Sequence, residues 1–246
     1  HSGQACISPS LPAPQTIAYI VINLNGAAML EDLFHSFERT NRHAAYDLII
    51  VDHGSEDGSL ELCEAWKSRL NLTLLARGQN HSFSASNNYG VQHTNADVVV
   101  FLNNDIVLAH DITPGLLAPF ADPDVGMVGM KLYDRRPEGA LERSPIQHLG
   151  VHFNDYKRSQ PIAAFETRYA PQLEYIAEDM WDVPAVTGAI MACRRTEFED
   201  LGGFDEGYFY GLEDVDLCLK YRLHRSQKII CNNQIGAYHV RAYSRS

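Results

Sequence analysis

Short apolar runs alternate with segments of helical periodicity through the first hundred residues. Tyr19–Asn23 is rich in β-branched residues, the pattern of a strand covered on both faces. Met29–Thr40 follows, with Leu30, Leu33, Phe34 and Phe37 at helical spacing. Leu48–Asp52 reads as a second strand, and Gly58–Leu70 as a helix whose apolar members are Leu60, Cys63, Ala65, Trp66 and Leu70. Leu72–Ala76 predicts a third strand, Ser84–Thr94 a helix and Asp97–Leu102 a fourth strand. Strands alternating with helices imply parallel pairing through right-handed crossovers, hence a doubly wound α/β sheet. Ligands bind such sheets beyond the carboxyl ends of the strands. Those ends carry Asn23, Asp52 and Asn103-Asn104-Asp105, so polar side chains gather where a ligand is expected.

The second half is patterned differently. Val125–Tyr133 and Ile146–Phe153 read as strands on either side of a polar stretch from Asp134 to Pro145, and Asn154–Met180 has no clear period. Val183–Arg194 is strand-like, with Gly188 permitting a close backbone approach. Thr196 stands where it can cap a short helix over Glu197–Leu201, ended by Gly202-Gly203. Glu213–Arg225 is amphipathic, with Val215, Leu217, Cys218, Tyr221 and Leu223 as apolar members. Lys228–Cys231 is a last strand before Tyr238-His239. The expected organisation is a flexible leader over residues 1–16, where Pro9, Pro12 and Pro14 fall and no signal-peptide pattern occurs. One domain follows over 17–246, a nucleotide-type half (17–105) fused to a mixed half (106–246).

With 246 residues, 45% hydrophobic and 21% charged, the chain can bury a full core and is neither disordered nor fibrous. No apolar run approaches the roughly 20 residues that a membrane-spanning helix needs. A net charge of −11 argues against nucleic acid as a partner. It leaves room for a small phosphorylated ligand held by backbone N–H groups or a cation. The five cysteines are odd in number and lack a CxxC pair, so they read as free thiols of a reducing compartment.

Four stretches could carry chemistry, and each also has a plain structural explanation. Asn103-Asn104-Asp105 follows a strand directly, where a carboxylate and Mg²⁺ or Mn²⁺ could bridge to a diphosphate. It is equally a polar turn closing that strand. Asp52 begins a loop with Gly54 and Gly58; it could accept hydrogen bonds from a ribose or base, or the loop could simply be capped by Ser55 or Asp57. Glu213, Asp214 and Asp216 open a helix, where acids complement the helix dipole, and one of them could instead be a general base. Periodicity does not choose among the three. His239 stands alone near the end, and His148 and His152, if on one strand face, read as packing residues. There is no GxSxG elbow, Walker loop, GxGxxG or zinc-type His pattern.

Together these segments resemble the family 2 glycosyltransferases of GT-A fold, especially the rhamnosyltransferase-like branch. The resemblance runs from about Ile17 to His239. Asn23 and Asn25 after the opening strand look like that family's first loop. Val51–Gly58 is similar to its VDNGSxDG segment, with His53 in place of the usual Asn. Asn80–Gly90 is similar to its NxGFAxGNNxG segment, with His81-Ser82 and Ser86 as departures. Phe101–Asp105 looks like its metal-binding DXD segment in the LNND form. Val186–Ala189, Arg194-Arg195, Gly202–Glu206, Phe209 and Glu213–Leu217 match its acceptor-side block in order and spacing.

The resemblance implies a Rossmann-like, mostly parallel sheet fused to a smaller acceptor-binding part. It implies inverting, metal-dependent transfer of a sugar from a nucleoside diphosphate to the hydroxyl of a saccharide or lipid-linked saccharide. Asp214 is then the general base, with Glu213 positioning the acceptor. Asp105 and His239 ligate Mn²⁺ or Mg²⁺. Asn23, Asp52, Arg77, Asn103 and Asn104 serve the nucleotide side, Asp52 at the base. Asn103 stands where the family often has a second carboxylate. A cytoplasmic location is expected, with membrane contact at most peripheral, at the inner face. Two other readings stay open: a sugar-nucleotide-binding module without turnover, and a nucleotidyltransferase, for which Asn23–Gly26 is poor in glycine.

Overall fold

The computed structural model describes residues 16–134, 145–154, 163–166, 179–208 and 211–240. The first half runs β1 (Ile17–Asn23), α1 (Ala27–Thr40), β2 (Tyr46–Asp52), α2 (Ser59–Trp66), β3 (Leu72–Ala76), α3 (Phe83–Val91) and β4 (Val98–Asn103). Next come β5 (Ile106–Leu108), α4 (Thr113–Leu117) with a following 3-10 turn, β6 (Val125–Asp134), β7 (Ile146–His148), β8 (Val151–Asn154) and β9 (Ala163–Glu166). The chain continues through β10 (Met180–Asp182), β11 (Ile190–Arg194), α5 (Arg195–Asp200), α6 (Glu213–Arg225) and β12 (Lys228–His239). The expected leader lies outside the described residues apart from Thr16. So do Cys6, Phe209, most of the Asp134–Pro145 stretch and most of Asn154–Met180.

One sheet carries both halves, in the order β10-β12-β6-β11-β4-β1-β2-β3, with β5 added to β12 and β7 to β6. Along that path only β11 and β10 run against the others, so the sheet is mostly parallel as expected. Strand residues alternate between two cores. Tyr19, Val21, Leu48, Ile50, Val98 and Val100 face the side of α1 and α2, where Phe34, Phe37 and Trp66 pack. Ile20, Ile49, Val51, Val99 and Phe101 face the side of Phe198, Phe204, Val215 and Tyr221. Burial on both faces explains why these strands read as unbroken apolar runs. Gly90 lets α3 lie directly on the sheet: a Cβ there would meet Ile20 Cγ2 at 2.5 Å.

Register brings the functional strand ends together. Asn23 pairs with Asp52, Asn103 with Ile22, and Asp52 with Ala76. Because β6 and β12 run parallel to β4, Asp134 and His239 leave the sheet at this same carboxyl edge. No helix among the described residues is long and apolar enough to cross a membrane.

The second half departs from its pattern in ways that matter to the site. Ile106–Leu108, unanticipated as a strand, pairs antiparallel with the end of β12, setting His239 opposite Ile106. The last strand does not stop at Cys231 but continues to His239 past an irregularity between Asn232 and Gly236. Val183–Arg194 is a strand only from Ile190: Ala185 makes a single bridge to Val151, and a turn over Gly188-Ala189 precedes the strand. Ile146–Phe153 divides at Gly150, whose φ of 107° turns the chain. His148 and His152 therefore sit on different strands: His148 is buried, and His152 packs on the Trp181 ring at 5.1 Å. Thr196 caps nothing, because α5 already begins at Arg195. Leu223 points to solvent at 75% exposure. The four described cysteines are buried free thiols, as expected.

Candidate active site

Asp52 shapes the loop after β2. Its Oδ1 accepts the Gly54 and Ser55 N–H groups at 2.9 and 2.8 Å, and Oδ2 accepts Asn23 Nδ2 at 2.9 Å and Ser55 Oγ at 2.7 Å. With 1% of its surface exposed, this carboxylate is committed inside the protein, whereas the sequence reading had it meeting a base directly. Gly54 has φ 88°, and a Cβ there would press on the Gly78 backbone at 2.9 Å. Asp57 accepts the Ala27 N–H and the Ser59 N–H, so one carboxylate serves the starts of α1 and α2. Burial works to raise its pKa, but those donors outweigh it and hold the group below its ordinary value.

His53 is the departure with the clearest structural consequence. It is buried, with Nδ1 at 2.9 Å from Asn80 Oδ1 and Nε2 at 2.5 Å from Ser86 Oγ. Burial pushes its pKa down, against the pull of the Asn80 bond and Asp52, as befits a neutral ring. Ser86 Oγ also accepts Arg77 Nη1 at 3.3 Å, and the Arg77 guanidinium lies 4.6 Å from the Tyr89 ring centre. Two residues that depart from the family pattern thus hold each other and help seat Arg77.

At the β4 end, Asn104 Nδ2 donates to Asn23 Oδ1 at 2.9 Å, and Gly26 leaves room for that bond. Asp105 Oδ1 lies 3.2 Å from His239 Nε2, and Asn103 Nδ2 lies 3.5 Å from the same nitrogen. The Val240 N–H donates to the Asp105 carbonyl at 2.9 Å, fastening the end of β12 here. The pattern had no signal for two further members. Gln147 Oε1 sits 2.8 Å from His239 Nδ1, and Gln147 Nε2 donates to Asp134 Oδ1 at 3.0 Å.

The acid-rich start of α6 approaches the same edge. Asp214 Oδ2 accepts the Gly188 N–H at 2.7 Å and Oδ1 accepts the Val215 N–H at 2.8 Å. A Cβ on Gly188 would lie 3.3 Å from Asp214 Cβ, so the glycine permits a close approach. The next carbonyl, Ala189, accepts the Asn103 N–H at 3.0 Å. Adjacent residues, one Cα step of about 3.8 Å apart, therefore tie Asp214 to the Asn103–Asp105 segment. Asp216, partly buried, is turned to other use, its Oδ2 3.1 Å from Lys220 Nζ one turn along the helix.

Glu213 is half-buried, and its Oε2 is enclosed without a hydrogen-bond partner. Burial, reinforced by Asp214, raises its pKa against the pull of the backbone N–H groups of Glu213 and Gly211. A carboxyl raised in the fold destabilises it once pH passes the unfolded value, and fully above the folded one. Glu213→Gln is therefore expected to raise thermal stability at pH 7, with the gain fading below the ordinary carboxylate range. Melting curves at both pH values check this; a lower melting temperature at pH 7 would contradict it.

Asp105 and His239 offer a mixed oxygen–nitrogen pair suited to Mn²⁺. Among the described residues no group of three or more His, Cys, Asp or Glu surrounds a single point. Two protein ligands suit a cation that takes its remaining oxygens from phosphate and water. The residues present thus fit such an ion, with Asn103 contributing no charge.

Comparison with known proteins identifies the family and the fold. The family model described as glycosyl transferase family 2 matches residues 19–202, and one described as N-terminal domain of galactosyltransferase matches residues 178–241. Rhamnosyltransferase WbbL of Escherichia coli is 24% identical over 84% of this chain and 77% of its own length. The chain spans only 19% and 16% of the lengths of two other curated relatives it matches. Among solved structures, GalNAc-T7 with UDP, GalNAc and Mn²⁺ matches 92% of this chain and 43% of its own, with TM-score 0.73 and 16% identity. The mannosyltransferase PcManGT of Pyrobaculum calidifontis with GDP-Man and Mn²⁺ matches 97% and 62%, with TM-score 0.67 and 19% identity. The fold is accordingly that of the GT-A glycosyltransferases, and the chain belongs to glycosyl transferase family 2.

Proposed function

We propose that this domain transfers a sugar, with inversion, from a nucleoside-diphosphate donor to the hydroxyl of a saccharide or lipid-linked saccharide in glycan synthesis. The observation that carries the reading is the junction at Gly188-Ala189. There the proposed base Asp214 and the Asp105–His239 pair are drawn to one corner of the carboxyl edge. Residues 17–105 serve the donor and 106–246 mainly the acceptor. Asp52 acts by shaping its loop, and Arg77, seated by Ser86 and Tyr89, serves the nucleotide side.

Asp105 and His239 would hold a divalent cation, which when bound would neutralise charge on the departing diphosphate. Asp214, fixed by the Gly188 and Val215 N–H groups, is the base for the acceptor hydroxyl's proton. It takes that proton as the hydroxyl oxygen bonds to the anomeric carbon and the carbon–oxygen bond to diphosphate breaks. Attack opposite the leaving group inverts the centre. Glu213 steadies the acceptor. The Mn²⁺-bearing structural neighbours support the cation, and the buried thiols support a reducing, cytoplasmic setting.

The test is release of nucleoside diphosphate from a panel of UDP-, GDP- and dTDP-sugars, with Mn²⁺ and with EDTA. At least one donor should be turned over with metal and spared by EDTA. A donor that binds yet is never consumed, with any acceptor saccharide supplied, would make the domain a non-catalytic binding module.

A further inference from the structure

We infer that Gln147 is a positioning residue: its side-chain oxygen holds His239 as the Nδ1–H tautomer, so that Nε2 is the nitrogen presented to a cation at Asp105. The inference rests on the metal reading above and extends it to a side chain that touches neither ion nor substrate.

The hydrogen bonds settle the orientation of the amide. Asp134 Oδ1, 3.0 Å away, is an acceptor, so the amide nitrogen of Gln147 faces it and the oxygen faces His239. The 2.8 Å contact between Oε1 and His239 Nδ1 is then one in which the ring donates. A neutral ring protonated at Nδ1 has its lone pair on Nε2, the atom 3.2 Å from Asp105 Oδ1. Asn103 Nδ2, 3.5 Å from the same nitrogen, faces it as a donor, as a lone pair on Nε2 requires.

The backbone aims Gln147 deliberately. In the β6–β7 ladder Leu132 pairs with His148 and Tyr133 with Ile146, so Gln147 falls in the register shift between them. Bulges re-aim side chains and recur beside functional sites. Gln147 is 3% exposed, so its amide is held by the protein and not by bulk water. Its two partners leave the neighbouring strands β6 and β12 paired with each other, His239 opposite Asp134. A chain of Asp134, Gln147, His239 and Asp105 results, the form in which a carboxylate and an amide commonly fix a metal-ligating imidazole.

The experiment compares wild type with Gln147→Met, of similar length with only a weakly accepting thioether, and Gln147→Glu, which keeps an oxygen facing Nδ1 while its other oxygen replaces the donor to Asp134. Imidazole nitrogen shifts of ¹⁵N-histidine-labelled, metal-free protein report the tautomer, with the His239 signals assigned by their loss in His239→Asn. Mn²⁺ binding, alone and with UDP, GDP or dTDP, is followed by electron paramagnetic resonance. His239 should be Nδ1–H in wild type and in Gln147→Glu. In Gln147→Met the Nε2–H form should grow and Mn²⁺ should bind about 10–100-fold more weakly. Unchanged shifts and Mn²⁺ affinity in Gln147→Met would overturn the inference. If Gln147→Met does not fold, an Nε2–H signal in wild type or in Gln147→Glu overturns it equally. Wild type that binds no Mn²⁺ under any of these conditions would instead remove the metal reading, and the tautomer shifts would still decide whether Gln147 orients His239.

Discussion

Asp214→Asn is expected to lower turnover by about 10²–10⁴-fold, the usual range for loss of a general base, while nucleotide affinity stays near the wild-type value. The amide keeps the shape of the side chain and can still accept the Gly188 N–H through its oxygen. It cannot take a proton from an acceptor hydroxyl. Turnover and affinity should separate because Asp214 is anchored on the Gly188 side of the junction and the Asp105–His239 pair lies on the other. Asp216→Asn serves as the contrast. That carboxylate pairs with Lys220 one turn along its own helix, so its loss should act mainly on stability and leave turnover largely intact. Single-turnover rates beside nucleotide titrations check the pair. Near-full turnover in Asp214→Asn with loss in Glu213→Gln would move the base by one residue. Indifference of all three acids would exclude this chemistry.

Asp105→Ala is expected to weaken Mn²⁺ binding by more than the roughly 10–100-fold that outer partners contribute, because it removes the negative ligand of the pair. Asn103→Ala removes no charge and should cost much less. His239→Ala should weaken Mn²⁺ binding with the fold retained. It leaves the buried Gln147 oxygen without its donor, a cost of about 1–3 kcal/mol against the 5–15 kcal/mol typical of a domain. Metal titrations with matched melting curves distinguish the cases. Identical Mn²⁺ affinity in wild type, Asp105→Ala and His239→Ala would mean that the ion is bound elsewhere.

Much of the first half was legible because its strands are buried on both faces. Tyr19–Asn23, Leu48–Asp52 and Asp97–Leu102 announce themselves as apolar runs, and their polar ends mark the sheet edge. The second half was less legible for physical reasons. The stretch Asn232–Gly236 interrupts β12 with polar residues at an irregularity, hiding that one strand reaches His239. Ile106–Leu108 is too short to show a period, yet it sets His239 beside Asp105. Glu213–Arg225 was read with its correct bounds, but which of its acids faces the sheet edge depends on Gly188, a contact between distant segments. Gln147 has no sequence signal at all, since a lone glutamine acquires meaning only from the bulge that turns it toward His239. Asp52 was found at the right strand end, but the four hydrogen bonds that occupy it could not be counted from the sequence.

The central claim is that the Asp105–His239 corner binds a nucleoside diphosphate through a divalent cation. Thermal unfolding with UDP, GDP and dTDP, each with Mn²⁺ and with EDTA, tests it most directly. One nucleotide should stabilise the protein with Mn²⁺, by about 2.7 kcal/mol at a hundred times its dissociation constant, and clearly less with EDTA. No shift with any of the three, or a shift of equal size with EDTA, would contradict the account.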